Sequence, residues 1–171
     1  MTTGFVERLA AARIGATFNQ YADSELRRAR LARYLGERRR TTILLVGEAA
    51  GYRGARISGI PFTSERQLSG TGPAEATATI VRRVLAELEL EEETLCWNVV
   101  PTHPGTAESN RPPTRAEVEE SAPFLRELAA GRRVVPVGRL AHVRLGGTYI
   151  RHPSHGGASA FRTGLAAALL G

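Results

Sequence analysis

The sequence has no lysine, and its 171 residues include one cysteine, Cys96. One cysteine excludes an internal disulfide bond and any iron–sulfur or zinc site that several cysteines would hold. No apolar run approaches the roughly 18 residues of a membrane span. The first residues also lack the basic, apolar and small-residue order of a secretory signal. These absences predict a cytoplasmic protein that does not enter a membrane.

Arginine alone carries the positive charge. The chain has 23 arginines and a formal net charge of +6, with a pI near 10.6. A GC-rich genome explains the choice of arginine over lysine, but it does not explain the net excess. Such an excess favours a polyanionic partner, most often nucleic acid. Charge alone does not separate a DNA enzyme from a ribosome-associated or membrane-surface protein.

Four short apolar runs predict the strands of a parallel sheet. They lie at 41–47, 93–100, 132–138 and 148–150. The first is continuous, which is typical of a strand buried on both faces. Helical patterns alternate with the runs, which indicates helices on both faces of the sheet. The sequence therefore predicts a single-domain three-layer α/β/α sandwich around a four-stranded parallel sheet, spanning residues 1–171.

The helix signals surround these strands. Residues 1–40 are predicted to form N-terminal helices, with Leu26, Leu31 and Leu35 turned inward and a solvated arginine face outside. Ser24 is the expected N-cap of the second of these helices. The later helices are predicted at 73–90, 114–130, 139–145 and 158–170.

Three loops leave the carboxyl ends of the predicted strands, where ligands bind in such sheets. They span 47–65, 98–113 and 151–157, and each is rich in Gly, Pro, Asn or His. The first loop has several glycines but fits neither the P-loop nor the dinucleotide fingerprint. Its bare backbone is therefore expected to allow close approach of some other group.

The three loops together resemble motifs of the uracil-DNA glycosylase superfamily. Residues 47–62, GEAAGYRGARISGIPF, resemble its first motif in the G-E-A-P-G…G-x-P-F form. Residues 98–114, NVVPTHPGTAESNRPPT, resemble the segment where a strand-end Asn precedes N-R-x-P-T. Residues 151–157, RHPSHGG, resemble the H-P-S motif of the DNA-inserting loop. The order of the motifs makes the combination specific, and the match runs from about Thr41 to the C-terminus.

This resemblance implies a site for a uracil flipped out of DNA. Phe62 is expected to stack on the pyrimidine, Asn98 to read N3–H and O4, and His152 to donate to O2 as the base leaves. The expected uracil-binding residues are Gly47, Glu48, Ala49, Gly51, Phe62, Asn98 and His152. The expected DNA-binding residues are Arg53, Arg56, Ser154, His155, Gly156 and Arg162.

The motifs also depart from the best-known branch of that superfamily. Ala49 replaces the Asp that positions the attacking water, so the expected catalytic carboxylate beside His152 is Glu48 or Glu65. Gly51 replaces the Tyr that excludes the thymine methyl, so exclusion of thymine is relaxed or comes from another side chain. Asn110 stands where another relative has a histidine that becomes attached to the abasic product, which argues against covalent trapping.

The expected function is hydrolysis of uracil from DNA, a repair reaction that yields free uracil and an abasic site. Three alternatives stay open: excision of hypoxanthine or xanthine, binding of uracil-DNA without turnover, and a small-molecule α/β enzyme. No cofactor is expected, and no metal, because the four histidines lack metal-binding spacing. The expected partner is uracil-containing DNA at the nucleoid in the cytoplasm, and the expected oligomeric state is a monomer.

Overall fold

The computed structural model describes residues 2–171. Its helices are α1 (Thr2–Ala11), α2 (Glu25–Glu37), α3 (Ala55–Ser58), α4 (Glu65–Ser69), α5 (Ala76–Glu87), α6 (Arg115–Ala129), α7 (Arg139–Leu145) and α8 (Ala158–Leu170). Its strands are β1 (Ile43–Ala49), β2 (Thr94–Val100) and β3 (Arg133–Pro136). The short helices α3 and α4 lie in and just after the first loop, where the sequence predicted no helix. Within the described residues, no helix is long and apolar enough to cross a membrane.

The sheet is parallel, with strand order β2-β1-β3. The described residues form three strands, so the prediction of four is wrong. Positive φ values at Gly146 and Gly147 turn the chain immediately before the predicted fourth strand. Only Ile150 of that segment then pairs, through an isolated parallel bridge to Val137. The first three predicted strands are confirmed within a few residues at their ends.

Helices cover both faces of the sheet because each strand is apolar on both sides. On one face, side chains of α1, α2, α6 and α7 form a core with Leu44, Val46, Leu95 and Trp97. On the other, side chains of α5 and α8 form a second core with strand residues that alternate with these. The result is a mixed α/β architecture in three layers, with β1 at the centre of the sheet.

Helix α2 holds the first loop as well as the core. Leu31 and Leu35 are buried as predicted, but Leu26 is 61% exposed. Leu26 and Leu31 are five residues apart, a spacing that turns their side chains to different faces of the helix, whereas residues three or four apart are neighbours. The arginine face is only partly solvated, because the Nε of Arg27 donates to the carbonyl of Ile57 at 2.9 Å. Helix α2 therefore holds the first loop through this hydrogen bond as well as packing on the sheet.

Candidate functional site

The carboxyl ends of the strands bring the three predicted loops together. Gly47 near the end of β1 is the register partner of Asn98 in β2. After β3, the backbone N–H of Gly138 donates to the carbonyl of Ile150 at 2.8 Å. This bond carries the segment that follows, including His152, to the same edge of the sheet.

Two connected cavities open at this edge. The inner pocket is lined by Glu48, Ala49, Gly51, Ala55, Phe62, Glu75, Thr77, Asn98 and His152. The outer cleft, of about 420 Å³, shares six of those residues and is further lined by Ala50, Pro104, Asn110, Arg111, Val137, Gly138, Arg139, Ser154 and His155. Residues from all three loops therefore face one continuous space.

Asn98 lies in the inner pocket with its side chain almost wholly buried. It is 4% exposed, and its amide group forms no hydrogen bond within residues 2–171. Because the amide lines the pocket without a hydrogen-bond partner in the protein, its donors and acceptor stay available to a bound group. Such a group is suited to bind a polar ligand that supplies the missing partners.

Phe62 also lines the inner pocket, and its backbone is held in an unusual conformation. Its φ is 50°, a backbone angle that residues other than glycine rarely adopt. The Nε of Arg82 donates to the Phe62 carbonyl at 3.2 Å, and the same guanidinium donates to the Thr63 hydroxyl at 2.6 Å. A Cβ at Gly47 would collide with the Phe62 ring and lie 2.9 Å from the Asn98 Oδ1. Glycine at 47 is therefore required for both side chains to fit.

His152 presents one defined ring nitrogen to the cavity. The backbone N–H of Ser154 donates to its Nδ1 at 3.2 Å, and the Ser154 hydroxyl lies 2.8 Å from the same atom. Because Nδ1 accepts, the neutral ring carries its proton on Nε2, which becomes a donor. Burial, aided by nearby His155, lowers the pKa of His152. The neutral donor form is thus favoured at neutral pH.

The rest of the third loop is shaped by left-handed backbone. His155 and Gly156 have φ values of 51° and 75°. The loop turns sharply after Ser154, which lines the outer cleft together with His155. Gly156 is exposed beside them.

Of the two predicted catalytic carboxylates, Glu48 lines both cavities and Glu65 lines neither. The two oxygens of Glu65 accept from the Arg30 guanidinium at 2.8 and 3.0 Å. This pairing lowers the pKa of Glu65, whereas burial raises the pKa of Glu48. The structure therefore does not bring Glu65 to His152, since Arg30 holds it against α2 instead.

Glu75, which the sequence analysis missed, lines the inner pocket and the outer cleft. It is the N-cap residue of α5, and burial raises the pKa of its carboxyl. In the sequence it reads as an ordinary acid at a helix start. The available signal was the pair of glycines at 51 and 54, whose bare backbone its carboxylate occupies.

The predicted DNA-binding arginines are dispersed. Arg53 is exposed, with its guanidinium 5.5 Å from the centre of the Tyr52 ring. Arg56 lies over the ring of Phe18 at 5.1 Å. Arg162 donates to a glutamate of α5 and lines neither cavity. Of these three, Arg53 and Arg56 belong to the first loop, and Arg162 belongs to the distant helix α8.

Two buried groups tie the second loop to its surroundings. His103 is fully buried, with its Nδ1 2.7 Å from the carbonyl of Ala50 in the first loop. Glu117 is 1% exposed and accepts from Arg111 at 2.9 Å and from the Thr114 N–H at 2.8 Å. The hydrogen bonds from Arg111 lower the pKa of Glu117 to about 2. Arg111, a lining residue of the outer cleft, is thereby held in place.

The side chains that could bind a metal ion are those of His, Cys, Asp and Glu. Within the part of the chain that the structure describes, no group of three or more His, Cys, Asp or Glu side chains could hold a metal ion. His152 in particular uses its Nδ1 to accept from Ser154, which leaves Nε2 as a donor rather than a metal ligand.

Comparisons with family models and with solved structures each found a match. The family model described as the Uracil DNA glycosylase superfamily matches residues 34–165. Among solved structures, wild-type SMUG2 from Pedobacter heparinus has a TM-score of 0.71 with this chain at 13% sequence identity, covering 99% of this chain and 97% of that one. At this identity the likeness shows a shared fold. A search of curated proteins gave no match.

Proposed function

Since the chain belongs to the uracil-DNA glycosylase superfamily, we propose that it hydrolyses the N-glycosidic bond of uracil in DNA. The products would be free uracil and an abasic site. The family acts on DNA, and the net charge of +6 suits binding to its phosphates. We propose that the reaction takes place in the cytoplasm, on uracil-containing DNA at the nucleoid.

The buried, unpartnered amide of Asn98 is the observation that carries this proposal. An amide can accept from uracil N3–H and donate to O4 in one fixed orientation. Cytosine offers an acceptor at N3 and a donor at the neighbouring position, so the same orientation would leave its groups unpaired. The Phe62 ring in the same pocket supplies a face on which a flipped pyrimidine can stack.

His152 would stabilise the leaving base. When the C1′–N1 bond breaks, its electron pair stays with uracil and negative charge spreads to O2. A neutral imidazole with its proton on Nε2 can donate to that oxygen at the moment when charge develops. The acceptor role of Nδ1 toward Ser154 supports this tautomer.

Hydrolysis also needs a group that receives a proton from the attacking water. Glu48 and Glu65 were the expected residues, and the ion pair with Arg30 argues against Glu65. Glu48 lines both cavities and so remains a candidate for this role.

Excision of hypoxanthine or xanthine is the second candidate function, because Gly51 contributes no side chain to the pocket wall.

The proposal is tested with a labelled oligonucleotide that contains a single uracil, followed by alkali to cut abasic sites. We expect cleavage by the wild type and a loss of about 10²–10³ in rate for Asn98→Ala and for His152→Ala, since each removes one pre-positioned donor. Oligonucleotides with single hypoxanthine or xanthine bases measure the second candidate function in the same assay. Cleavage at the wild-type rate by both variants would contradict the proposed roles. Uracil-specific binding without cleavage by the wild type would identify a reader of uracil instead.

A further inference from the structure

The bare backbone of the first loop accommodates the carboxylate of Glu75. A Cβ at Gly51 would lie 2.8 Å from its Oε1, and a Cβ at Gly54 would overlap its Oε2. Both distances are below those that real Cβ atoms keep from their neighbours. The glycines at 51 and 54 therefore leave the volume that this carboxylate fills.

No side chain or backbone group within residues 2–171 pairs with the Glu75 carboxylate. Burial is the cause of its raised pKa, and no hydrogen bond or ion pair to Glu75 side-chain oxygens is formed within residues 2–171. Glu65, by contrast, has both oxygens paired with Arg30. In a chain with 23 arginines, a half-buried carboxylate without a basic partner is free to act on something else.

Glu75 lies at the boundary between the two cavities, where the proposed reaction would place the scissile bond. A base in the inner pocket and a phosphate chain outside place the glycosidic bond at the boundary of the two cavities. The residues that line both cavities mark this boundary, and its ionisable members are Glu48, Glu75 and His152. With His152 assigned to the departing base, a carboxylate is left for the sugar.

Strand geometry separates the two carboxylates. Gly47 faces Phe62 and Asn98, and β1 is still paired with β2 at Ala49. Successive residues of a strand point to opposite faces, so Glu48 starts on the sheet face opposite to Asn98, although it still borders the inner pocket. Glu75 reaches the pocket from α5 and is not subject to this alternation.

Resting on the proposed function, we propose that Glu75 is the catalytic residue that receives a proton from the attacking water. The water oxygen forms a bond to C1′ while the C1′–N1 bond breaks. The electron pair of that bond leaves with uracil, and one water proton passes to a Glu75 oxygen and then to solvent. Burial favours the proton-accepting step because a poorly solvated carboxylate is a stronger base than one in water.

The first test compares Glu75→Gln with Glu48→Gln in single-turnover excision of uracil, with affinity for uracil-DNA measured alongside. We expect a loss of about 10²–10⁴ in rate for Glu75→Gln with affinity nearly unchanged, and a smaller loss for Glu48→Gln. Glu75→Asp, which keeps the carboxylate, should recover part of the rate.

A pH profile distinguishes proton transfer from a structural role. The wild-type rate should fall as pH falls through the raised pKa of Glu75, and Glu75→Gln should lose this dependence. The other ionisable residues that line cavities with Glu75 are Glu48, Tyr52, Arg53, Arg111, Arg139, His152 and His155.

The second test displaces the carboxylate without removing it. Gly54→Ala places a methyl group where the Glu75 Oε2 lies, and the flexible side chain can swing away. We expect Gly54→Ala to lose rate as Glu75→Gln does, with no further loss in the double variant. Gly36→Ala in α2 is the matched control, because its added Cβ meets no atom within 4 Å.

The outcomes separate the two proposals. If the wild type releases uracil and Glu75→Gln matches its rate, the role of Glu75 is wrong and the proposed function stands. If Glu48→Gln alone is defective, Glu48 is the proton acceptor and the inference is overturned. If the wild type releases no base from any oligonucleotide, both proposals fail together.

Discussion

Four glutamates around the three loops form two groups that experience opposite environments. Glu65 and Glu117 are paired with arginines, and hydrogen bonds from those arginines lower their pKa values. Glu48 and Glu75 line the cavities, and burial raises theirs. The first group supports the scaffold around the loops, and the second group retains basic oxygens at the cavity. The contrast teaches that pairing, rather than burial alone, distinguishes a structural carboxylate from one available for chemistry.

The largest effect on stability is expected from Glu117→Ala. The substitution removes the partner of Arg111 and an acceptor for the Thr114 N–H in a site that is 1% exposed. Because the Arg111 side chain is 35% exposed and can be solvated, losing this half-buried pair and the acceptor of the Thr114 N–H costs about 1–3 kcal/mol in free energy of unfolding. Urea denaturation at neutral pH measures this loss. A loss below about 1 kcal/mol would mean that the pair behaves like a surface ion pair.

The lowered pKa of Glu117 also predicts how the stability of the protein changes in acid. Its native pKa of about 2 lies below the ordinary value of 4.5, so the native state holds the proton less tightly than the unfolded chain. The stabilisation is complete above the unfolded value and is lost as pH falls from 4.5 toward about 2. Glu117→Ala should therefore show a weaker dependence of stability on pH in that window.

A smaller effect is expected from Glu65→Gln. The pair with Arg30 has good geometry but is partly exposed, with side chains 21% and 19% accessible. We expect a loss of about 1 kcal/mol in stability and an unchanged rate of uracil excision. A large fall in rate with stability intact would return Glu65 to the reaction and remove the contrast between the two groups.

The smallest effect is expected from Glu75→Gln, and it has the opposite sign. A carboxyl with a raised native pKa is most compatible with folding when protonated, so stability declines as pH rises through that pKa. Replacing it with a neutral amide removes this penalty at neutral pH. We expect a gain of about 0.5 kcal/mol beside the loss of activity. A clear loss of stability would show that the carboxylate has a structural partner.

The strands and the site differ in how far the sequence predicts them. β1 and β2 were predictable because continuous apolar runs have few alternatives to a buried strand. The segment before Ile150 was not, because two left-handed glycines shorten it to an isolated bridge. Leu26 was misplaced because a run of leucines and arginines does not by itself fix the buried face of a helix.

The candidate site was predictable where motif residues themselves line the pocket. Asn98 lies near the end of β2, and Phe62 and His152 lie in loops at the same edge of the sheet, so the three side chains line one pocket. Glu75 was not predictable, because its position depends on space left by glycines far from it in sequence. The distance between Arg30 and Glu65 in sequence hid their pairing in the same way. Contacts of this kind are set by tertiary packing, on which local patterns carry no information.

The isolated bridge between Val137 and Ile150 has a consequence for how the molecule fluctuates. In native-state hydrogen exchange, we expect the amides of β1, which is paired on both sides, to exchange only through global unfolding. The Gly138 amide donates to Ile150 through a single contact beside an isolated bridge. We therefore expect the segment that carries His152 to open at a lower free energy than the sheet. Binding of DNA to that segment would then slow hydrogen exchange at residues 150–157.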